Sequence, residues 1–380
     1  MGVTRAKRSS ITNSIKRNDA GAGNLMYPWF GAWGDMLGSN TVIESQTTPS
    51  GLALDKLSAI VTESGVVQVA VSSGGPPIPF STNGGKSFQY LSTLNYGTLV
   101  GSFNGSFIGG GNYISSQAGY SSDVAANGWT WVGTGGGNFT FAAGAGGWIH
   151  QNLPLWAIPY TDASGVHYIR WIIGAPGSYG VPAAGTWTNT AVGGTAALSA
   201  GANSKVAVIG SPTTFGGYGT LYYAGYSSGS PQTANFFMRA VAFSTTGVII
   251  TNSVTPPAIT NAMQSFVSLG ETLILSTADN KLYTSTDGGG TWVTRTSPFP
   301  GTSPLAISTE VSGRVIASSG NSGIGPKYYQ SADGITWTEF ANFSPPVNSA
   351  SNGVAVSDTG FVYLTIANGN AGIRLRGFAG

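Results

Sequence analysis

From about residue 40 onward, apolar side chains recur at every second position in short runs, each stopped by Gly, Ser, Asn or Pro. The runs at 66–71, 205–209, 271–275, 314–317 and 361–364 show it most clearly. A period of two places successive side chains on opposite faces, so each run predicts a β-strand. No segment carries the apolar stripe of an amphipathic helix, and residues 52–57 are too short to decide either way. The pattern predicts an all-β protein.

The first 39 residues lack this period. Residues 1–23 are polar and basic, and a burst of aromatics follows at Tyr27, Trp29, Phe30 and Trp33 around Pro28. Arg5, Lys7, Arg8, Lys16 and Arg17 hold five of the 16 Lys and Arg residues. Such a segment cannot enclose a core of its own, so 1–39 is expected to be an assembly arm and 40–380 the folded domain. Its charge alone would suit nucleic acid. The neighbouring aromatic anchors favour a protein partner instead.

One unit recurs along the domain. It is sharpest at Ser285, Asp287, Gly289, Thr291 and Trp292, and a shorter copy uses Ser331, Asp333, Gly334, Thr336 and Trp337. Weaker copies end at Phe88, Trp131 and Trp187. The final aromatics of successive copies lie 43, 56, 105 and 45 residues apart, close to the period of propeller blades or a solenoid or to a multiple of it. The interval from Trp187 to Trp292 holds about two such periods, so one repeat lacks the unit, with residues 226–239 as its expected place.

These units resemble the Asp-box of sialidases and other BNR-repeat proteins. The resemblance implies a β-propeller, and the spacing counts six or seven blades, with seven favoured. It also implies that the box lies on the outer edge of a blade, away from the central pocket. Asp287 and Asp333 are therefore expected to hold turns and not to act as an acid pair. Gly supplies backbone angles that other residues resist, and Asp can accept from turn amides. Residues 353–376 supply about three strands where a blade has four, so residues 41–45 are candidates for the missing one.

Composition narrows the function. The chain has 58 Gly among 380 residues and only 8% charged residues, yet keeps 11% aromatics. That describes a folded, turn-rich protein with a Ser, Thr and Asn surface. With no Cys there is no disulfide, zinc ribbon or thiol chemistry. The opening cations are not followed by an apolar stretch, so no secretory signal is expected, and no run is long enough for a membrane span.

Catalytic chemistry finds little support. A sialidase resemblance would imply three arginines gripping a carboxylate, a Tyr nucleophile with a Glu partner, and an Asp acid. The family's early Arg-Ile-Pro motif is missing, and no spacing singles out Arg170, Arg239 and Arg314 as a triad. Most of the 14 acids fall in the arm, the boxes or loops. The two histidines, His150 and His167, have no metal-binding spacing. Neither a metal nor a cofactor is expected. Trp129, Trp131, Trp148, Trp156 and Trp171 concentrate half of the ten tryptophans, and Trp129, Trp148 and Trp156 are candidates for stacking on a sugar. Packing between blades explains such residues equally.

Together these features resemble the composition of bacteriophage virion proteins. The expectation is a non-enzymatic virion component, of the tail in preference to the capsid. A hub, nozzle or fibre-attachment ring would bind other virion proteins, copies of itself, and on its outer face a host glycan. Two alternatives stay open: a secreted BNR-repeat glycan-binding protein or glycosidase, and an intracellular propeller serving as an interaction platform.

Overall fold

The computed structural model describes strands spread from Val42 to Arg376, with connecting segments described mainly within 144–193, 247–299 and 305–339. Residues 1–41 and the remaining loops lie outside the described residues, and with them every assigned residue of the arm.

All the described strands fall into seven antiparallel sheets, six of four strands and one of five. In six of them consecutive strands pair with each other, as short Gly- and Ser-rich turns dictate. These blades span residues 56–90, 99–132, 140–193, 205–254, 263–295 and 306–339. In the third, two short strands, Thr140–Phe141 and Ala145–Ile149, share the place of one and both pair with Leu153–Thr161.

The seventh blade is composite. Ser351–Val356, Val362–Ile366 and Ala371–Arg376 supply three strands, and Val42–Thr47 pairs with the last as the fourth. The register runs from Val42 opposite Arg376 to Thr47 opposite Ala371. The first strands of successive blades touch one another, and Ser351–Val356 touches Lys56–Ala59, so the circle closes. The architecture is a β-propeller, with the first strands around its axis and the fourth strands at its rim.

The core lies in the seams between blades. In Gly219–Tyr226 all eight residues are buried. Leu221 and Tyr223 pack towards the third blade, while Tyr222, Ala224 and Tyr226 pack towards the fifth. Alternation therefore distributes side chains between two apolar seams. The seams are tight: an added methyl on Gly219 would sit 2.2 Å from Ile149 Cβ, and one on Gly147 2.6 Å from Val208. Glycine is needed at both for close approach of strands.

Candidate functional site

Both sharp repeats form the turn between the third and fourth strands of a blade. In the fifth blade that turn joins Leu282–Ser285 to Val293–Arg295. Asp287 Oδ1 accepts from the Ser285 hydroxyl at 2.8 Å and the Thr291 amide at 2.9 Å. Its Oδ2 accepts from the Thr291 hydroxyl at 2.7 Å, while Ser285 Oγ accepts from the Gly289 amide at 2.8 Å. Gly288 and Gly289 have φ of 68° and 87°, which side chains resist. The bonds from Thr291 hold the Asp287 carboxyl down to about 2.

The sixth-blade copy repeats this arrangement. Asp333 Oδ1 accepts from the Ser331 hydroxyl and from the amides of Ile335 and Thr336 at 2.8 and 2.7 Å, and Gly334 has φ of 74°. Burial pushes the Asp333 carboxyl up, but these bonds outweigh it and its pKa falls. In both turns the carboxylate stabilises backbone geometry.

The box tryptophans join neighbouring blades. Trp292 donates its indole N–H to the carbonyl of Thr255 at 2.9 Å, just beyond the fourth blade's rim strand, and packs on the seam below it. Trp337 packs likewise on the seam of the fifth and sixth blades. The glycines add to this contact, since a methyl on Gly289 would meet Val254 at 2.4 Å and one on Gly334 would meet Ile274 at 2.6 Å. The weaker copies keep the same place. Rim strands Gln89–Tyr90 and Thr188–Gly193 begin directly after Phe88 and Trp187, and Trp131 lies within Thr130–Val132.

Besides the composite seventh blade, the blade without the unit is the fourth, but its third-to-fourth turn is not at 226–239. There the second strand ends and the third begins. The rim strand instead returns through a two-residue hairpin with Ser244 opposite Gly247. A tight hairpin has taken the place of the longer box.

The tryptophan cluster needs a correction. Trp156 has no exposed surface; its indole donates to the Phe103 carbonyl at 3.1 Å and meets the Phe103 ring edge-on. It cannot offer a face to a sugar because it fills the seam of the second and third blades. Trp171 is buried too, donating to Thr190 at 2.9 Å against Phe243. Trp148 remains half-buried on a first strand, its ring 5.6 Å from that of Phe103. Trp129 and His150 lie outside the described residues.

Other chemical groups are engaged locally. Arg170 and Arg239 stand on third strands and Arg314 beside a second strand, so none is on the first strands that surround the axis. Arg170 donates to Asn189, and burial lowers its pKa. Nearby, Tyr160 stacks on Tyr168 at 5.2 Å, and burial raises its phenol to about 12. Arg239 lies 5.3 Å over the Phe237 ring. Asp162 accepts from Ser164 and Val166 amides, and Asp279 from the Thr277 and Thr260 hydroxyls beside Lys281. His167 is fully buried and its Nδ1 meets the Tyr223 hydroxyl across the third and fourth blades. No sequence spacing announced that pair, because its members lie 56 positions apart.

No protein-family model matches the chain, and no curated protein matches it in sequence. Solved structures do match. A streptogramin B lyase aligns over 89% of this chain and 98% of its own, with a TM-score of 0.54 and 14% identity. A structure of YCF48 bound to D1 peptide aligns over 88% and 95%, with 0.54 and 12%. A chain of a mitotic checkpoint complex aligns over 88% and 95%, with 0.52 and 11%. At such identities the likeness concerns architecture alone, and it agrees with the sheet topology that this chain is a β-propeller.

Proposed function

We propose that this propeller is a non-enzymatic structural component of a bacteriophage virion, part of the tail, anchored to neighbouring subunits through its N-terminal segment. The observation that carries the reading is the place of the closing strand. Val42–Thr47 is the outermost strand of its blade, so the chain preceding it departs from the rim. Arg5, Lys7, Arg8, Lys16, Arg17, Tyr27, Trp29, Phe30 and Trp33 precede that strand in the sequence, and the reading assigns them to contact with a neighbouring subunit.

The body suits such a role. It is poor in charge, free of Cys and rich in Gly. Asp287 and Asp333, its most conspicuous acids, serve box turns, which supports kinship with Asp-box propellers and a structural purpose for the motif. Two of the similar structures are a peptide-bound YCF48 and a chain of a mitotic checkpoint complex, in keeping with a propeller as an interaction platform.

The test is the mass of the full chain by native mass spectrometry, beside a variant with Tyr27, Trp29, Phe30 and Trp33 all changed to Ser. A defined multimer that falls to monomer in the variant is expected. A monomeric full chain, or turnover of a sialoside, would overturn the proposal.

A further inference from the structure

The rim of the fourth blade differs from the others. Its outermost strand, Gly247–Val254, is the longest described rim strand with eight residues, whereas Val42–Thr47 and Thr188–Gly193 have six, Val293–Arg295 and Thr130–Val132 three, and Gln89–Tyr90 and Thr338–Glu339 two. No described strand pairs with its outer edge. Natural edge strands are shielded by shortness, Lys, Pro or a bulge. This one contains no charge and no Pro, and its one register shift lies near the Val248 end. Asn252 is partly exposed and Ser253 exposed.

The chain also contains a second copy of this edge. Ile250, Thr251, Asn252, Ser253 and Val254 are matched in the arm by Ile11, Thr12, Asn13, Ser14 and Ile15, with Val for Ile the single change. Like strands paired parallel and in register bring like residues side by side, and Asn ladders strengthen the pairing. We infer that residues 11–15 of one copy add as a parallel strand to the outer edge of Gly247–Val254 of a second copy, with Asn13 beside Asn252.

Charge selects the same orientation. In this register Lys16 and Arg17 follow Ile15 past Val254, the residue against which the Gly289 turn of the fifth blade packs. The carboxylate of that turn, Asp287, lies within the same box. An antiparallel strand would carry the two cations away from it. The arm starts from the seventh blade, and the 26 residues between Ile15 and Val42 span ~85 Å when extended, so a neighbouring copy lies within reach, and the anchoring reading assigns the arm to it.

The inference rests on the arm-anchoring reading and names the surface the arm would meet. Because the chain has no Cys, single cysteines report cleanly. Full-length Asn13→Cys and Asn252→Cys chains, made separately and mixed, are treated with a short thiol cross-linker; Thr188→Cys on another rim strand replaces Asn252→Cys as control. A yield several-fold above the control is expected, lost when Asn13→Cys also carries Thr12→Pro and reduced when Asn252→Cys also carries Ser253→Lys. Thr12 belongs to none of the described strands, so that proline breaks no described ladder. A multimer with cross-linking at the control level overturns this docking while leaving arm anchoring intact. A monomer overturns both. Cross-linking confined within a doubly substituted chain overturns the second copy as partner.

Discussion

Val42 lies opposite Arg376, so the strand nearest the N-terminus and the last strand of the described chain form one antiparallel ladder. The pairs Ile43–Leu375 and Ser45–Ile373 continue it inward. A ring of blades built only from consecutive hairpins would leave its first and last blades joined by packing alone. Here backbone hydrogen bonds close it.

Removing residues 1–47 should therefore lower thermal stability clearly more than removing residues 1–39, because only the longer truncation takes away the closing strand. Each ladder hydrogen bond contributes about 1 kcal/mol net, so losing the strand costs about 3 kcal/mol or more. Calorimetry of the two truncations, with hydrogen exchange read at residues 371–376, separates these outcomes. Equal melting temperatures would show that the ladder does not secure the ring.

Asp287 predicts how stability responds to acid. The Thr291 and Ser285 bonds lower its folded pKa to about 2, below the unfolded carboxyl. Its contribution is therefore complete above the unfolded value near 4 and disappears as pH falls through about 2. The group is largely solvated, so the effect is of order 1 kcal/mol after screening. Asp287→Asn should be less stable than the parent at neutral pH, and the difference should narrow towards pH 2. Urea unfolding of both proteins across that range checks it.

Gly219 tests the tightness of the seams. It lies in a wholly buried strand, where an added methyl would approach Ile149 Cβ at 2.2 Å. Gly219→Ala should destabilise by about 1–3 kcal/mol through overpacking. Ile149→Ala alone should cost about 2–4 kcal/mol through a cavity. Combined, the two should cost clearly less than their sum, since each occupies space the other needs. Additivity in denaturant midpoints would show that the blades can shift apart.

The sequence expressed the blades unevenly, for physical reasons. Box turns were legible because Ser285, Asp287, Gly289 and Thr291 must stand at fixed spacing to bond one another, and Trp292 must follow to reach Thr255. The fourth blade was not, since Ser244 and Gly247 close a hairpin that needs no long motif. Alternation also failed in Leu153–Thr161 and Gly219–Tyr226, where both faces are buried between blades. Pairings such as His167 with Tyr223 depend on which blades become neighbours, which local pattern does not encode.

That same ambiguity governs the tryptophans, and two substitutions resolve it. Trp156 and Trp148 looked alike as sugar-stacking candidates, yet Trp156 is fully buried while Trp148 keeps partial exposure on an innermost strand. Trp156→Ala should remove about 3–5 kcal/mol of stability, because it empties a seam shared with Ile108 and Ile158. Trp148→Ala should cost less, about 1–2 kcal/mol, since part of its ring already faces out of the core. If Trp148 also contacts a glycan, its replacement should lower glycan-array signal while the protein stays folded by circular dichroism. Signal unchanged in folded Trp148→Ala would confine both tryptophans to packing.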